Sequence, residues 1–372
     1  MVKILLSITS GIRFPVFILL ITFLSCNRPV TMNGQSTEKE KAQNVIILIG
    51  DGMGLGQITG GMIANGMKTN LEKYPVVGLH KCHASDNLVT DSAAGATAFA
   101  CGVKTYNGAI GVDPKYRAVQ SILEEAKRKG LKTGLVATST IVHATPASFF
   151  AHNVSRSNYE EIALELLDNE VDIFIGGGKK YFDRRADNRN LYNELRSLGF
   201  QITDYFTEDL DKVEITGKKF GYLTSDDSPL TVMQGRDYLL PATKKTLGFL
   251  TERSTKGFFL MIESSQIDWG GHSNNADYIV EEFKDFDKVI GAVLEFAKKD
   301  GNTLVVVTAD HETGGFAINP GSRRDSLVTA FTTDYHTGSM IPVFAYGPGS
   351  DQFSSIYDNT AIYKKMRNAL GW

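Results

Sequence analysis

Short apolar runs recur along the chain, each giving way within a residue or two to glycine or polar residues. Val-Ile-Ile-Leu-Ile at 45–49 precedes Gly50, and Phe-Phe-Leu-Met-Ile at 258–262 precedes Glu263. Thr303–Thr308, Thr133–Thr138, Val171–Ile175 and Pro342–Tyr346 follow the same form, and Val76–His80 reads as one more strand. Continuous apolar runs bounded by turn residues are the pattern of strands buried on both faces of a parallel sheet. Amphipathic helical stretches lie between them. Arg117–Lys129 ends at Gly130, a C-terminal stop signal. Tyr238–Arg253 is a second stretch, and Tyr278–Ala297 is a third, with Ile279, Phe283, Phe286, Ile290 and Val293 along one face. This alternation predicts an α/β fold: one doubly wound, mostly parallel central sheet with helices on both faces. Residues 179–236 are polar and weakly periodic, so they read as peripheral elaboration with a short helix near Asn190–Leu198.

Polar residues gather where the apolar runs end. Asp51 stands between Gly50 and Gly52, and Glu263, Asp268 and His272 follow the run that ends at Ile262. Asp310 and His311 follow Thr308, and His336 precedes the strand at 342–346. Loops beyond the carboxyl ends of parallel strands are where α/β sheets bind ligands. Each residue alone has a bland reading, such as a turn Asp, a helix cap or a packed histidine. Seven such groups at matching topological positions point instead to a multinuclear metal site. Carboxylate with imidazole suits zinc, and a lone carboxylate suits magnesium.

Two further pieces give that site a chemistry. Asp91-Ser92 precedes an alanine-rich stretch and so opens a helix, either as a plain cap or as an anion-binding end. After the strand at 133–138 come His143, Thr145, His152 and Arg156, and arginine grips phosphate in bidentate fashion. Serine, arginine and paired metals together favour phosphoryl transfer.

Composition narrows the partners. The chain is 42% hydrophobic and 22% charged with a formal net charge of −3, ordinary for a soluble globular protein. It has no clustered Lys/Arg run, which excludes a nucleic-acid-binding stripe. Lys3 and Arg13 flank a start region, and Phe14–Leu24 is mostly apolar. That run falls short of the roughly 20 residues a membrane span takes and fits a signal peptide over residues 1–25. Phe23-Leu24-Ser25-Cys26 resembles a lipobox, with Phe23 and Leu24 in place of the usual Leu and small residue. Cys26 is thus the expected lipidation site, residues 26–42 a flexible tether, and residues 43–372 the folded domain. The expected location is periplasmic or outer-membrane-anchored, with an ordinary cut leader and secretion as the alternative. Cys82 and Cys101 read as buried free thiols.

The motifs together resemble those of bacterial alkaline phosphatases, from Asn44 to Phe353. They are Gly-Asp51-Gly-Met-Gly, Thr-Asp91-Ser92-Ala, His143-Ala-Thr145-Pro, Arg156, Glu263-x4-Asp268-x3-His272, Thr-Ala-Asp310-His311 and His336-Thr-Gly. The resemblance implies Ser92 as the nucleophile that becomes phosphorylated, and Arg156, oriented by Asp91, as the phosphate ligand. It implies two zinc ions, one on Asp268, His272 and His336 and one on Asp51, Asp310 and His311. A magnesium ion would sit on Asp51, Thr145 and Glu263. It also implies small phosphate monoesters as substrates and a homodimer.

Two departures bear on these expectations. Some members carry Asp and Lys where this chain has His143 and Trp269, a pair similar to that of cold-adapted bacterial members, so the third metal's identity stays open. The stretch between His311 and His336 is also short for the family, implying no large crown-like insertion and a more open site. Among rivals, sulfatases require Cys or Ser followed by x-Pro-x-Arg, which Ser92-Ala-Ala-Gly-Ala lacks. Phosphodiesterases of this fold usually carry a Thr nucleophile and no third metal. A zinc- or phosphate-binding protein without turnover would need neither Ser92 nor Arg156.

Overall fold

A computed structural model describes residues 41–168 and 170–372. The leader, Cys26 and the tether up to residue 40 lie outside the described residues. The strands in chain order are β1 (Asn44–Gly50), β2 (Val76–Lys81), β3 (Lys132–Thr140), β4 (Ile173–Gly177), β5 (Phe200–Asp204), β6 (Lys219–Leu223), β7 (Phe258–Ser264) and β8 (Thr303–Thr308). Four two-residue pieces follow, β9 (Glu312–Thr313), β10 (Ala317–Ile318), β11 (Thr329–Ala330) and β12 (His336–Thr337), then β13 (Ile341–Tyr346) and β14 (Ser355–Asp358). Ten of them form one sheet in the order β14-β2-β13-β8-β1-β7-β3-β4-β6-β5. All neighbours run parallel except β13, which is antiparallel to both β8 and β2.

The central strands are buried on both faces, which is why their sequences are continuously apolar. Val45, Ile47 and Ile49 of β1 pack with Phe99, Leu123 and Ile362 on one side. Ile46 and Leu48 pack with Phe283, Phe286 and Ile290 on the other. This is a doubly wound sheet with helices on both faces. Register then sets the stage for the site. Ile49 lies level with Glu263 of β7 and Thr308 of β8, and Glu263 lies level with Ala137 of β3. Four carboxyl ends therefore stop at one height, and their loops open on a common edge.

Two expectations need correction, and the reading of Cys82 and Cys101 as buried free thiols stands. Residues 179–236 are not all elaboration, because β5 and β6 extend the sheet at its far edge. Their signal is weak: β5 buries only Phe200, Ile202 and Asp204, with half-buried residues between. The helix expected from Arg117 begins at Ile122, because Ser121 and Glu124 form a capping box there. Tyr116 at φ 63° closes the turn before it.

A buried ionic cluster ties the 224–236 segment to the long helix Ala276–Asp300. Arg236 donates to Glu282 at 2.5 Å and to Asp285 at 3.2 Å, and Val232 N–H donates to Glu282 at 2.9 Å. Burial pushes both carboxyls up even with Arg236 beside them. Arg236→Ala would leave two buried carboxylates without their cation, a loss of about 3 kcal/mol. The expected result is an earlier midpoint in urea at unchanged slope. An unmoved midpoint would show that the cluster contributes nothing net.

Candidate active site

Asp51 leaves β1 in a tight turn that only glycine can make. Gly52 sits at φ 72°, and a β-carbon there would lie 2.7 Å from Asp268 Cα and from Thr313 Oγ1. The turn is held by Asp51 N–H on Ser264 O at 3.0 Å and Gly52 N–H on Asp310 Oδ1 at 3.3 Å. So the backbone of one strand end is bonded to the other two. Beyond β7, the helix Gln266–His272 places Asp268 and His272 one turn apart on the same face, 3.4 Å from each other. β8 delivers Asp310 and His311. The β9–β12 ladder then pairs His336 with Thr313 and lays its ring over His311, with centroids 3.5 Å apart.

The ligating atoms fall into three overlapping groups, each within 4.8 Å: Asp268, His272 and His336; Asp51, Asp268 and His311; Asp51, His143 and Glu263. Asp310 Oδ2 is 3.3 Å from His311 Nε2, so Asp310 belongs beside the second group. Thr145 lies on the short helix Ala144–Ala147, its Oγ1 buried without a hydrogen-bond partner. Asp51 Oδ2, Asp310 Oδ2 and Glu263 Oε1 share that condition. Compared with the sequence expectation, the second group also has Asp268 within reach, and the third gains the imidazole of His143.

Ser92 is the first residue of the helix Ser92–Cys101, and Asp91 caps it by accepting from Ala94 N–H at 2.9 Å. The other Asp91 oxygen accepts from Gly108 N–H and from Arg156 Nη1, each at 2.9 Å. Ser92 Oγ lies 3.4 Å from Asp51 Oδ1 and 3.3 Å from His311 Nε2. Arg156 Nη2 is 3.3 Å from His143 Nε2, and the His143 ring meets Trp269 edge-on at 6.1 Å. Every candidate residue between Asp51 and His336 in the motifs above thus reaches one edge of the sheet. His152 does not: its Nε2 contacts Glu124 at 3.1 Å, away from this cluster.

Electrostatics mark the cluster as incomplete by itself. Burial, and then Asp310, Asp268 and Glu263, hold Asp51 well above the usual carboxylate range. Burial pushes Glu263 to about 7, and burial with Asp268 pushes Asp310 to about 6. Asp268 goes the other way: burial opposes its charge, but hydrogen bonds from His272 and His336 outweigh it. Burial and then Arg156 depress His143 to about 3.

Several supporting residues escaped the sequence reading. Ser139 donates to Glu263 Oε2 at 3.2 Å, and Thr313 Oγ1 donates to Asp268 Oδ1. Asp334 O is 2.6 Å from His272 Nδ1, and Thr90 O is 2.8 Å from His336 Nδ1. Thr313 was open to notice two residues after His311, whereas Ser139 and Thr90 carry no signal of their own.

The chain as a whole is similar to known proteins. A profile of alkaline phosphatases matches residues 42–329. The chain belongs to the alkaline phosphatase family. It is 34% identical to alkaline phosphatase 4 of Bacillus subtilis (strain 168), over 88% of this chain and 88% of that protein. Identity to the alkaline phosphatase of Escherichia coli (strain K12) is 32%, over 90% and 88%. Among solved structures, the alkaline phosphatase of the Antarctic bacterium TAB5 is 45% identical with a TM-score of 0.85, over 90% of this chain and 99% of that one. Two variants of that enzyme, with one histidine replaced by glutamate or by aspartate, have magnesium bound in its M3 site. The Thermus thermophilus alkaline phosphatase, at 22% identity and a TM-score of 0.83, shows the shared fold. The chain is accordingly a phosphatase, a metal-dependent hydrolase of phosphate monoesters.

Proposed function

We propose that this alkaline phosphatase works through a phosphoserine at Ser92, with two zinc ions and one magnesium ion in the three groups above. The observation that carries the reading is the set of buried, unpartnered oxygens around Ser92: Asp51 Oδ2, Asp310 Oδ2, Glu263 Oε1 and Thr145 Oγ1. A buried carboxylate oxygen without a donor is costly, and cations are what a set of such oxygens fits. Imidazole with carboxylate in Asp268–His272–His336 and in Asp51–Asp310–His311 suits zinc. The oxygens of Asp51, Thr145 and Glu263 suit magnesium.

When bound, these ions would supply positive charge that favours the Ser92 alkoxide, the leaving oxygen and the attacking water. The rest falls to the chain itself. Ser92 Oγ attacks phosphorus, the ester P–O bond breaks, and the departing alkoxide takes up a proton to leave as an alcohol. Water then attacks the phosphoserine in line, freeing inorganic phosphate and restoring the Ser92 hydroxyl. Two in-line displacements give net retention at phosphorus. Arg156, fixed through Nη1 on Asp91, offers its other N–H groups to two phosphoryl oxygens. Asp91 thereby aligns nucleophile and clamp together, because its second oxygen caps the helix that starts at Ser92.

Acid-quenched turnover of a phosphate monoester should trap phosphate on the wild-type chain and none on Ser92→Ala. The variant should keep its zinc while its rate falls on the order of a thousandfold or more. Equal labelling of the two proteins would overturn the covalent route, and wild-type rates that survive exhaustive chelation would overturn the metal assignment.

The third group is where this chain departs from Asp-bearing relatives. An imidazole at His143 favours zinc over magnesium. Magnesium in the M3 site of TAB5 variants that had lost a histidine supports the same reading here. His143→Asp should tighten magnesium about tenfold and blunt inhibition by excess zinc. Superimposable titrations of the two proteins would remove His143 from the third site.

We place the chain outside the cytoplasm, with residues 1–25 cleaved, Cys26 acylated and residues 26–42 as tether, and as a homodimer like the family it resembles. Among the described residues no helix is long and apolar enough to cross a membrane. Cys26→Ala should leave the membrane fraction and sediment at twice the chain mass. Unchanged fractionation would return the ordinary-leader reading, and sedimentation at one chain mass would exclude the dimer.

A further inference from the structure

His336 reaches the site by the least supported route. Asp51, Glu263 and Asp310 stand at or within a residue or two of the ends of long central strands, and Asp268 and His272 stand on a helix. His336 stands on a two-residue strand paired with another two-residue strand, within a segment largely exposed from Gly321 to Met340. A ladder that short is not stable by itself.

One side chain bridges the gap. Glu312, buried at 5% exposure in β9, follows His311 directly and has donors on both oxygens. Its Oε1 accepts from Gln57 Nε2 at 2.7 Å and from Phe316 N–H at 3.0 Å. Its Oε2 accepts from Gly315 N–H at 3.2 Å and from Thr337 Oγ1, the neighbour of His336. Gln57 belongs to the helix Leu55–Ala64 that continues the Asp51 turn, and it also donates to Thr313 O at 2.7 Å. Gly54 of that turn leaves room for the Glu312 stem, since a methyl group there would collide with Glu312 Cγ. Three segments that carry ligands are thus fastened to one carboxylate. With both oxygens engaged, Glu312 is a poor candidate for a ligand itself.

We propose that Glu312 is the positioning residue for the Asp268–His272–His336 group, setting its zinc affinity by holding Thr337, and so His336, against the strand ends. The inference rests on the zinc reading given above. Hydrogen bonds to an ionised carboxylate are short and comparatively strong, which suits a clamp on an exposed segment. Partners that orient metal ligands commonly change affinity by about 10- to 100-fold when removed.

The test is zinc binding by the full chain, measured in competition with a chromophoric chelator. The proteins are wild type, Glu312→Ala, Glu312→Gln, Thr337→Val and His336→Ala. Glu312→Ala should weaken a single class of zinc, the one His336→Ala abolishes, by about 10- to 100-fold. Its lost activity should return with excess zinc at unchanged KM. Glu312→Gln, keeping shape and one acceptor oxygen, should fall between. Thr337→Val should shift the same class by a smaller factor, and it serves if Glu312→Ala fails to fold. Isotherms of Glu312→Ala and Thr337→Val that match wild type, while His336→Ala loses a class, would overturn the proposal. Equal weakening of every class would reduce Glu312 to a general structural role. If His336→Ala keeps all its zinc, the zinc reading fails first and this one with it.

Discussion

The burial of several carboxylates side by side, with their mutual repulsion added to it, governs this site. Asp51, Glu263, Asp268 and Asp310 are all at or below 4% exposure, and three of them are driven toward their neutral forms when the protein stands alone. Hydrophobic burial of the central strands forces that closeness. Ile49, level with both Glu263 and Thr308, cannot pack at the core without bringing Asp51 up to Glu263 and Asp310. The apolar sheet supplies the stability, and its register concentrates negative charge at one edge. Protonation relieves the conflict when the protein stands alone, and positive charge at that edge would relieve it with the carboxylates ionised.

The remaining features follow from getting a substrate anion into such a place. A phosphate ester approaches carboxylates of its own sign, so fixed positive charge must already wait there. In the proposed mechanism Arg156 provides it, and Asp91 outweighs the cost of burial to keep the guanidinium charged. The same carboxylate caps the helix behind Ser92, so the proposed nucleophile and the proposed anion clamp share a reference point. In the mechanism proposed above, rigidity there would keep the phosphoryl group in line with Ser92 Oγ, where small displacements cost much of the rate.

Residues whose reason is local were legible in the sequence. Buried strands announce themselves as apolar runs, and the glycines around Asp51 announce a tight turn. The runs at 45–49, 258–262 and 303–308 gave strands close to those observed. Pairing was not legible, because β1 lies between β7 and β8, both more than 200 residues later. Edge strands were not legible either, since β5 alternates over only five residues and Gly221 in β6 gives its space to the Phe174 ring. The candidate ligands stood out because carboxylates and histidines are conspicuous after apolar runs. Glu312, Ser139 and Gln57 did not, because a residue that supports a ligand needs only a donor or acceptor, and polar residues of that kind occur throughout the chain.

His143 shows how one position carries two demands that imidazole cannot meet together. Its depressed basicity keeps the ring neutral at any working pH, so one nitrogen carries a proton and the other does not. Nε2 faces the Arg156 guanidinium at 3.3 Å, and that group only donates, so Nε2 must accept and the proton must sit on Nδ1. Nδ1 is buried without a partner, and a protonated Nδ1 cannot ligate a cation. In the metal reading proposed above, moving the proton onto Nε2 would free Nδ1 to accept a cation but set two donors against each other at Arg156. On that reading the ring could serve Arg156 or the third cation, and serving one would weaken the other. A carboxylate would escape the conflict, because each of its oxygens accepts independently. If a third cation is held as proposed above, its occupancy and the Arg156 contact would compete for the same ring.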